Sequence, residues 1–578
     1  MSGLQNSNGS WEENPSNGHE LPSSQEQTTT TTIITDEKGH HPLTDQSIRL
    51  PPRKIISVFL ACCLTDVCSL LDYTSLAIAL SAVAVDLNAG STSSWIASSY
   101  YVTSSSCQLL YSHLSDVWSR KVVLLALLVV FFLGSLASSL ATTANQLIIF
   151  RAISGIGGGG LVTVAQVIVS DVVSLRERGK YQGILGAATA LSNGIGPVLG
   201  ASFSHGSRWR WIFRINLPLA ILCALAAIFF MPLKKVSGSW KRKLRQIDFI
   251  GSALTLISSC LFILSFTWAG VAYPWLSRQV IVPLCFSALA ASLFVIWEWK
   301  FASIPVMPLR IFKSSIVCGV LVTQAVNGWA ALSLSFYLPQ FYQLIYGYSP
   351  LKSACLLIPI TVSQTFTSTL SGLVITWTGN YRVSILSGWA IWTAGLSLIS
   401  TLDENSNLAR QLSYSILTGI GIGCTFQASL IAIQGAVERR DASVVTAARG
   451  FFRYLFATVG LSVSGAILNN NAKHLLEKQG FESSVISQMM DSPFAALEKL
   501  ANQDDKRTQL ISAYRSAFRA VFLVSTGLAA MSLLCTFFFI KTKSVDRPLE
   551  DAKLQAEYRQ SLRKEKIDSP LVLTGRQI

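Results

Sequence analysis

Apolar residues in this chain come in long unbroken blocks, not at the three-to-four spacing of an amphipathic helix. Eight blocks fall at residues 55–84, 92–111, 122–141, 147–169, 181–203, 211–232, 249–270 and 280–298. Six more follow at 314–338, 353–376, 383–402, 411–434, 447–468 and 518–540. A helix needs about 20 apolar residues to cross the hydrocarbon of a bilayer. Inside lipid every backbone N–H and C=O has to pair within its own segment, so blocks of this length predict helices. The pattern predicts an all-α polytopic membrane protein with fourteen transmembrane helices.

The segments between the blocks divide the chain. Residues 1–52 are rich in Ser, Thr, Asn, Gln and acids, with a threonine run at Thr28–Thr32, and are expected to be a disordered tail. They lack a basic-then-apolar signal pattern, so the first span is expected to serve as an uncleaved signal. Residues 53–233 then make a six-helix bundle, and 234–248 a basic linker carrying Lys234, Lys235, Lys241, Arg242, Lys243 and Arg245. An inserted helix pair occupies 249–300 and a second six-helix bundle 301–540, with a long outside loop at 470–517 and a tail at 541–578.

Only 13% of the residues are charged, against about a quarter in an ordinary soluble chain. The net charge of +15 does not point to nucleic acid, because the Lys and Arg sit in short gaps and form no basic face interleaved with aromatics. Their placement sets orientation instead. With the N-terminus inside, the inside loops carry Arg120, Lys121, Arg176, Arg178, Lys180, the linker cluster, Lys300, Arg310, Lys313, Arg382, Arg439, Arg440, Arg449 and Arg453. The outside loops carry Arg208, Arg210, Arg214, Arg278 and Arg410, so both termini are expected in the cytoplasm. The eleven cysteines all fall inside apolar blocks and form no CxxC pair; they read as small packing residues, with no disulfide framework, metal site or cofactor implied.

The two halves are weakly alike. Span 4 has a glycine run, Gly155 to Gly160, leading into Arg176-Glu177-Arg178; span 12 has Gly419, Gly421 and Gly423, leading into Glu438-Arg439-Arg440-Asp441. Repeated halves are common in secondary transporters. The glycine run has no Gly-Lys-Ser/Thr ending and lies in an apolar span, so it is not a phosphate loop. Gly155/Gly159, Gly196/Gly200 and Gly419/Gly423 have the small-xxx-small spacing that lets helix backbones approach. Pro197 removes a helix hydrogen bond and marks a candidate bend.

An ionisable side chain within the bilayer is a functional candidate by default. Asp72 lies near the middle of span 1 and Arg151 at the start of span 4. A carboxyl in such a place can take up and release protons, whereas Arg stays charged. Two readings stay open: a proton-coupled pair, or a static ion pair holding two spans in register. Asp66 is six residues from Asp72, roughly 120° around the helix at about 100° per residue, and reads as reaching an aqueous vestibule at the cytoplasmic end. Asp116, Arg120 and Lys121 read as a charge latch on the cytoplasmic side. Gln108, Gln166, Asn193, Gln324, Asn327, Gln364, Gln427 and Gln434 are candidates for lining a central cavity, some of them as interhelical hydrogen bonds. Trp329 and Tyr337 read as substrate contacts or as part of an interfacial belt.

Local patterns in order then resemble the fourteen-span drug:proton antiporter family of the major facilitator superfamily. Span 1 holds Leu71-Asp72-Tyr73-Thr74. The loop after span 2, Ser112-His113-Leu114-Ser115-Asp116-Val117-Trp118-Ser119-Arg120-Lys121, is similar to the superfamily's Gly-x-Leu-x-Asp-x-x-Gly-Arg-Lys, with both glycines replaced by serine. Span 4 opens with Arg151-Ala-Ile-Ser-Gly155-Ile-Gly157, and span 5 carries Gly194-Ile-Gly196-Pro197-Val-Leu-Gly200-Ala201, similar to the antiporter motif except at Ala201. Trp209-Arg210-Trp211-Ile212-Phe213-Arg214-Ile215-Asn216-Leu217-Pro218 is similar to the start of the family's sixth span. Pro305-x-Met307-Pro308-Leu309 and Tyr348-Ser349-Pro350 match further on, so the resemblance covers residues 55–545.

The resemblance implies a major facilitator fold, two six-helix bundles plus a central inserted pair. It implies proton-driven export of a drug, toxin or secondary metabolite, of the kind fungal members perform, by a monomer in the plasma membrane, with protons and a small organic substrate as partners. A vacuolar basic amino-acid carrier or an uptake symporter keeps the same fold. A membrane enzyme or channel is disfavoured, since the spans carry no Ser–His arrangement, metal cluster or filter repeat, and an ATP-driven pump for want of a phosphate loop.

Overall fold

A computed structural model describes residues 52–542 apart from 88, 90–92, 174–176, 205, 232–246, 271–272, 303, 439–440, 483–485 and 487–503. The expected N-terminal tail up to residue 51, the Lys234–Arg245 cluster, Arg176, Arg439, Arg440 and the C-terminal tail from 543 lie outside the described residues. The first bundle contains α1 (Pro52–Asp86), α2 (Ser93–Ser106), α3 (Gln108–Val117), α4 (Arg120–Leu140), α5 (Ala144–Val172), α6 (Arg178–Phe203) and α7 (Arg210–Phe230). The inserted pair is α8 (Phe249–Trp268) and α9 (Arg278–Lys300). The second bundle contains α10 (Ser315–Tyr346), a short α11 (Pro350–Cys355), α12 (Ile358–Thr378), α13 (Tyr381–Ile399), α14 (Leu408–Ala436), α15 (Ala442–Lys478) and α16 (Asp504–Phe539).

Among the described residues, thirteen helices are long and apolar enough to cross a membrane. The fourteenth expected span is the consecutive pair α2 and α3, interrupted at Cys107. The backbone path stays helical across the break, because Cys107 N–H donates to Thr103 O at 3.1 Å and Tyr111 N–H to Cys107 O at 3.1 Å. Ser104, Ser105 and Ser106 dilute the apolar character there, and Ser105 Oγ bonds back to Val102 O at 3.2 Å, a contact that competes with regular helix.

Two expectations about the second half need correction. Residues 470–478 and 504–517, read as outside loop, are helical extensions of α15 and α16. Arg449 and Arg453, read as inside-loop charges, lie seven and eleven residues into α15, which begins at Ala442. At about 1.5 Å per residue Arg453 is some 16 Å from that helix start, well inside the bundle. Both arginines already fall within the apolar block at 447–468, which α15 extends back to Ala442.

The halves repeat their packing. α1 lies against α6 and α7, and α5 against α2 and α4; likewise α10 lies against α15 and α16, and α14 against α12 and α13. The glycine-rich helices explain the second pairing. A Cβ at Gly159 would come 2.6 Å from Ser104 O of α2, and one at Gly157 2.6 Å from Phe131 N of α4. In the other half, a Cβ at Gly423 would come 2.5 Å from Gln364 O of α12, and one at Gly421 2.5 Å from Trp392 Cβ of α13. Gly155 touches Tyr100 and Thr103 of α2, while Gly196 and Gly200 of α6 touch Thr74 and Ser75 of α1. Side chains on these faces would push the backbones apart.

The bundles meet where α12 packs on α6 and where α15 packs on α2 and α3. The inserted pair touches both: Cys260 of α8 reaches Ser106 of α2 at 3.3 Å, Trp268 packs edge-on to Trp95 at 6.1 Å, and Phe262 meets Phe456 of α15 at 6.5 Å. Asp248 caps α8 by accepting from Gly251 N–H at 2.8 Å and from Trp297 Nε1 of α9 at 2.9 Å. The outward faces carry large exposed apolar side chains such as Phe229, Leu289, Phe366 and Phe538, as lipid contact requires.

Gly159→Val is expected to cost about 1–3 kcal/mol through overpacking against Ser104, lowering the thermal midpoint in detergent. Gly527→Ala, where a Cβ meets nothing within 4 Å, should leave the midpoint near that of the wild type.

Candidate functional site

Three helices converge on Asp72. Arg151 of α5 donates from Nη1 to Asp72 Oδ2, and Asn216 of α7 donates from Nδ2 to Oδ1 at 2.6 Å. All three side chains are buried. Arg151 leaves Nε and Nη2 without hydrogen-bond partners, and Asn216 leaves Oδ1 likewise. The guanidinium lies instead over the Tyr100 ring at 4.5 Å and near Phe213 at 5.5 Å, which a desolvated cation favours. The expected meeting of Asp72 and Arg151 is thus present, with Asn216 as a further ligand of the carboxylate.

Asp66 departs from expectation. It is fully buried, both carboxyl oxygens lack a hydrogen-bond partner, and it does not reach an aqueous vestibule. Cys62, Cys63, Cys223 and Tyr454 lie within its electrostatic reach.

The latch residues separate into two groups. Arg120 pairs with Asp116 at 2.5 Å and with Asp171 of α5 at 2.9 Å, while Asp116 accepts from Ser443 Oγ of α15 at 2.7 Å. That last bond crosses between bundles. A second crossing joins Arg178 of α6 to Gln434 of α14 at 3.1 Å. Nearby, Arg310 pairs with Asp441 at 2.8 Å. Lys121 is not part of this set: its Nζ donates to Ile228 O at 2.8 Å and Met231 O at 3.2 Å, closing the C-terminal end of α7.

A cavity of about 130 Å³ lies between the bundles. Its wall includes Thr74, Tyr101, Asn193, Pro197, Gln364 and Arg453. Along each helix these residues sit away from the end tied by Asp116–Ser443 and Arg178–Gln434, so the cavity approaches the opposite end. A model of the Major Facilitator Superfamily matches residues 62–461 of the chain. The chain belongs to the major facilitator superfamily.

Relatives of this facilitator are fungal transporters. Citrate exporter 1 of Yarrowia lipolytica is 34% identical over 527 residues, 91% of this chain and 78% of the relative. Efflux pump FUS6 of Gibberella fujikuroi is 31% identical over 489 residues, 83% of this chain and 88% of the relative. Among solved structures, the human organic anion transporter MFSD10 matches with a TM-score of 0.54 at 16% identity, over 84% of this chain and 100% of that one. The proton:xylose symporter XylE matches at 0.53 and 13% identity, over 88% and 99%. At those identities the structures attest the fold alone. The chain is therefore a multi-pass membrane transporter of the superfamily, similar to fungal efflux pumps.

Of the polar residues predicted to line this facilitator's cavity, Asn193 and Gln364 do so. Asn327 sits behind the wall, accepting from Arg453 Nε at 3.0 Å. Gln108 packs against Gly450 and Gln427 against Gly186, each at a contact between bundles, and Gln324 is buried with neither amide atom hydrogen-bonded. Gln434 serves the Arg178 crossing. Trp329 and Tyr337 are packing residues of α10 against α15, Trp329 on Gly460 and Tyr337 Oη donating to Leu461 O at 2.9 Å. Pro197 lies on the cavity wall within an α6 that runs unbroken to Phe203. The sequence reading missed Asn216, Asp171 and Arg453 as site residues. Asn216 carries a signal, an amide inside an apolar block, while Asp171 lies just past the end of another; Arg453 falls inside the block at 447–468 yet reads as a loop charge.

Arg151→Leu leaves the Asp72 carboxylate buried without its cation and is expected to cost about 3–5 kcal/mol. The double variant Asp72→Leu/Arg151→Leu should recover most of that loss, read as thermal midpoints of the detergent-solubilised protein.

Proposed function

We propose that this transporter exports small organic compounds by alternating access between its bundles, driven by inward proton flow. The Asp72–Arg151 pair carries the reading. It is a sealed ion pair joining α1 to α5, with Asn216 adding α7, and it sits one step from the cavity wall: Thr74 and Tyr101 line the cavity beside Asp72 and Tyr100 in sequence. Protonation of Asp72 removes the charge that holds Arg151. The guanidinium, with two nitrogens already unbonded, then has aromatic faces as its main partners. α1 is freed to shift against α5, and it carries Thr74 and Ser75, which pack directly on Gly196 and Gly200 of α6. Proton occupancy is thereby transmitted to a wall of the cavity.

With the basic loops inside, the end tied by Asp116–Ser443 and Arg178–Gln434 is cytoplasmic and the cavity faces outward. Such a state follows cargo release and precedes proton uptake from the outside. Export as the direction is supported by relatives named as an exporter and efflux pumps, and by the Gly194–Gly200 stretch that resembles the antiporter motif. Arg120 and Asp116, bridging Asp171 and Ser443, then act as the cytoplasmic latch that has to open before cargo loads.

Export of a panel of organic compounds from a transporter-deficient host tests the mechanism. A proton uncoupler should abolish export by the wild type, Asp72→Asn should reduce it to the background of the empty host, and Asp72→Glu should retain part of it. Uncoupler-insensitive export, or wild-type rates in Asp72→Asn, would overturn proton coupling through Asp72.

A further inference from the structure

The second bundle contains two arginines one helical turn apart with no carboxylate to answer them. Arg449 is only 2% exposed; its Nη2 donates to Phe426 O at 2.6 Å and its Nε to Ser429 Oγ at 3.3 Å. Arg453 donates from Nε to Asn327 Oδ1 at 3.0 Å and lies over the Tyr454 ring at 5.5 Å. Both guanidinium groups lie over the same ring, Phe426, at 4.7 and 4.8 Å. No ion pair involves either arginine among the described residues, whereas Arg151, Arg210, Arg310 and Arg515 each have one and Arg120 has two.

Arginine keeps its charge in any protein environment, and two such charges within a bilayer-spanning bundle are costly when nothing of opposite sign stands near them. Asp66, buried on α1, makes no ion pair and no hydrogen bond among the described residues, so neither guanidinium has a carboxylate in direct contact. Carbonyl, hydroxyl and ring contacts satisfy part of the hydrogen-bonding capacity and leave the charge itself unanswered. Arg449 is enclosed; Arg453 forms part of the cavity wall.

Among the described residues Arg453 is the sole charged residue of that wall, and no acid lines it. Around it stand uncharged polar groups, Tyr454, Tyr101, Asn193 and Gln364, and apolar ones such as Phe336. The volume of about 130 Å³ is close to that of a cavity that accepts benzene, about 150 Å³. A cation is repelled here and a neutral solute leaves the charge unanswered. A small anion supplies what the site lacks, its carboxylate matching the planar fork of a guanidinium.

We propose that the transported compounds are small organic acids bound as carboxylate anions at Arg453, with Arg449 adding positive potential behind the Phe426 ring. This names the cargo class for the cavity assigned above and rests on that cavity being the transport site. It disfavours a basic amino acid as cargo, since nothing on the wall would receive its cation.

The full chain in lipid nanodiscs decides the matter by equilibrium binding of radiolabelled benzoate and succinate, beside neutral benzamide and cationic tetraphenylphosphonium. Benzoate should bind at least about tenfold more tightly than benzamide, the size of effect that one charge-assisted pair supplies. Arg453→Gln should abolish that preference and Arg453→Lys keep part of it, with thermal midpoints confirming that both variants fold. Carboxylates that fail to bind, benzamide or tetraphenylphosphonium binding as well as benzoate, or undiminished benzoate binding by Arg453→Gln would overturn the proposal. Vesicles energised with a proton gradient separate this from the coupling mechanism. Proton-driven movement of tetraphenylphosphonium but of no carboxylate sinks the cargo class alone. Carboxylate binding at Arg453 without proton-driven movement upholds the cargo class and sinks the coupling.

Discussion

A charge taken into the bilayer has to be answered by another group, and the first bundle is organised around such answers. Asp72 finds Arg151 and Asn216, drawing α1, α5 and α7 to one point. Arg120 finds Asp116 and Asp171, drawing α3, α4 and α5 together at one end. At the other end Asp86 receives Arg210 at 3.0 Å and Trp209 at 2.9 Å, fastening the end of α1 to the start of α7. Polar bonds of this kind fix which helix faces inward, a choice that dispersion alone leaves loose when lipid tails compete as equally apolar neighbours. In the second bundle Arg449 and Arg453 have no carboxylate partner among the described residues, and Arg453 faces the cavity between the bundles.

The other organising element is the absence of side chains. α5 and α14 occupy corresponding places in the two halves, and each presents glycines on two sides so that two neighbouring helices can press against it. Gly155 and Gly159 turn to α2 while Gly157 turns to α4; Gly419 and Gly423 turn to α12 while Gly421 turns to α13. The weak sequence likeness between the halves is in this respect a likeness of contact surfaces. Close backbone approach then brings the charges above into range of one another.

Fourteen apolar blocks and the ordered motifs made the architecture legible, because a membrane span announces itself through length and hydropathy without help from tertiary contacts. The Asp72–Arg151 meeting was legible as a possibility, since each is a lone charge in an apolar stretch. What escaped depended on helix boundaries and facing. Arg449 and Arg453 read as loop charges because they follow closely on the basic pair Arg439–Arg440, although both fall inside the apolar block at 447–468. The serine-rich stretch ending at Cys107 hid that the second span is two helices. Asp66 sits 120° from Asp72 in a simple helical wheel, yet which neighbours that direction meets depends on the packing of α7 and α15, and that is not written in α1. The buried glutamines could not be sorted from their positions in the spans: Gln364 opens on the cavity while Gln324 is sealed away.

The inserted pair makes the seam between the bundles unequal on its two sides. On one side α8 bridges α2 and α15 through Cys260–Ser106 and Phe262–Phe456, with Trp268 against Trp95 as a further grip. On the other side α6 packs directly on α12, with α11 and α14 also against it. The two flanks of the seam are therefore held differently, one through a third helix and one by direct packing of α6 on α12. Removing α8 would therefore undo one flank of the seam and leave the direct contact of α6 with α12 in place.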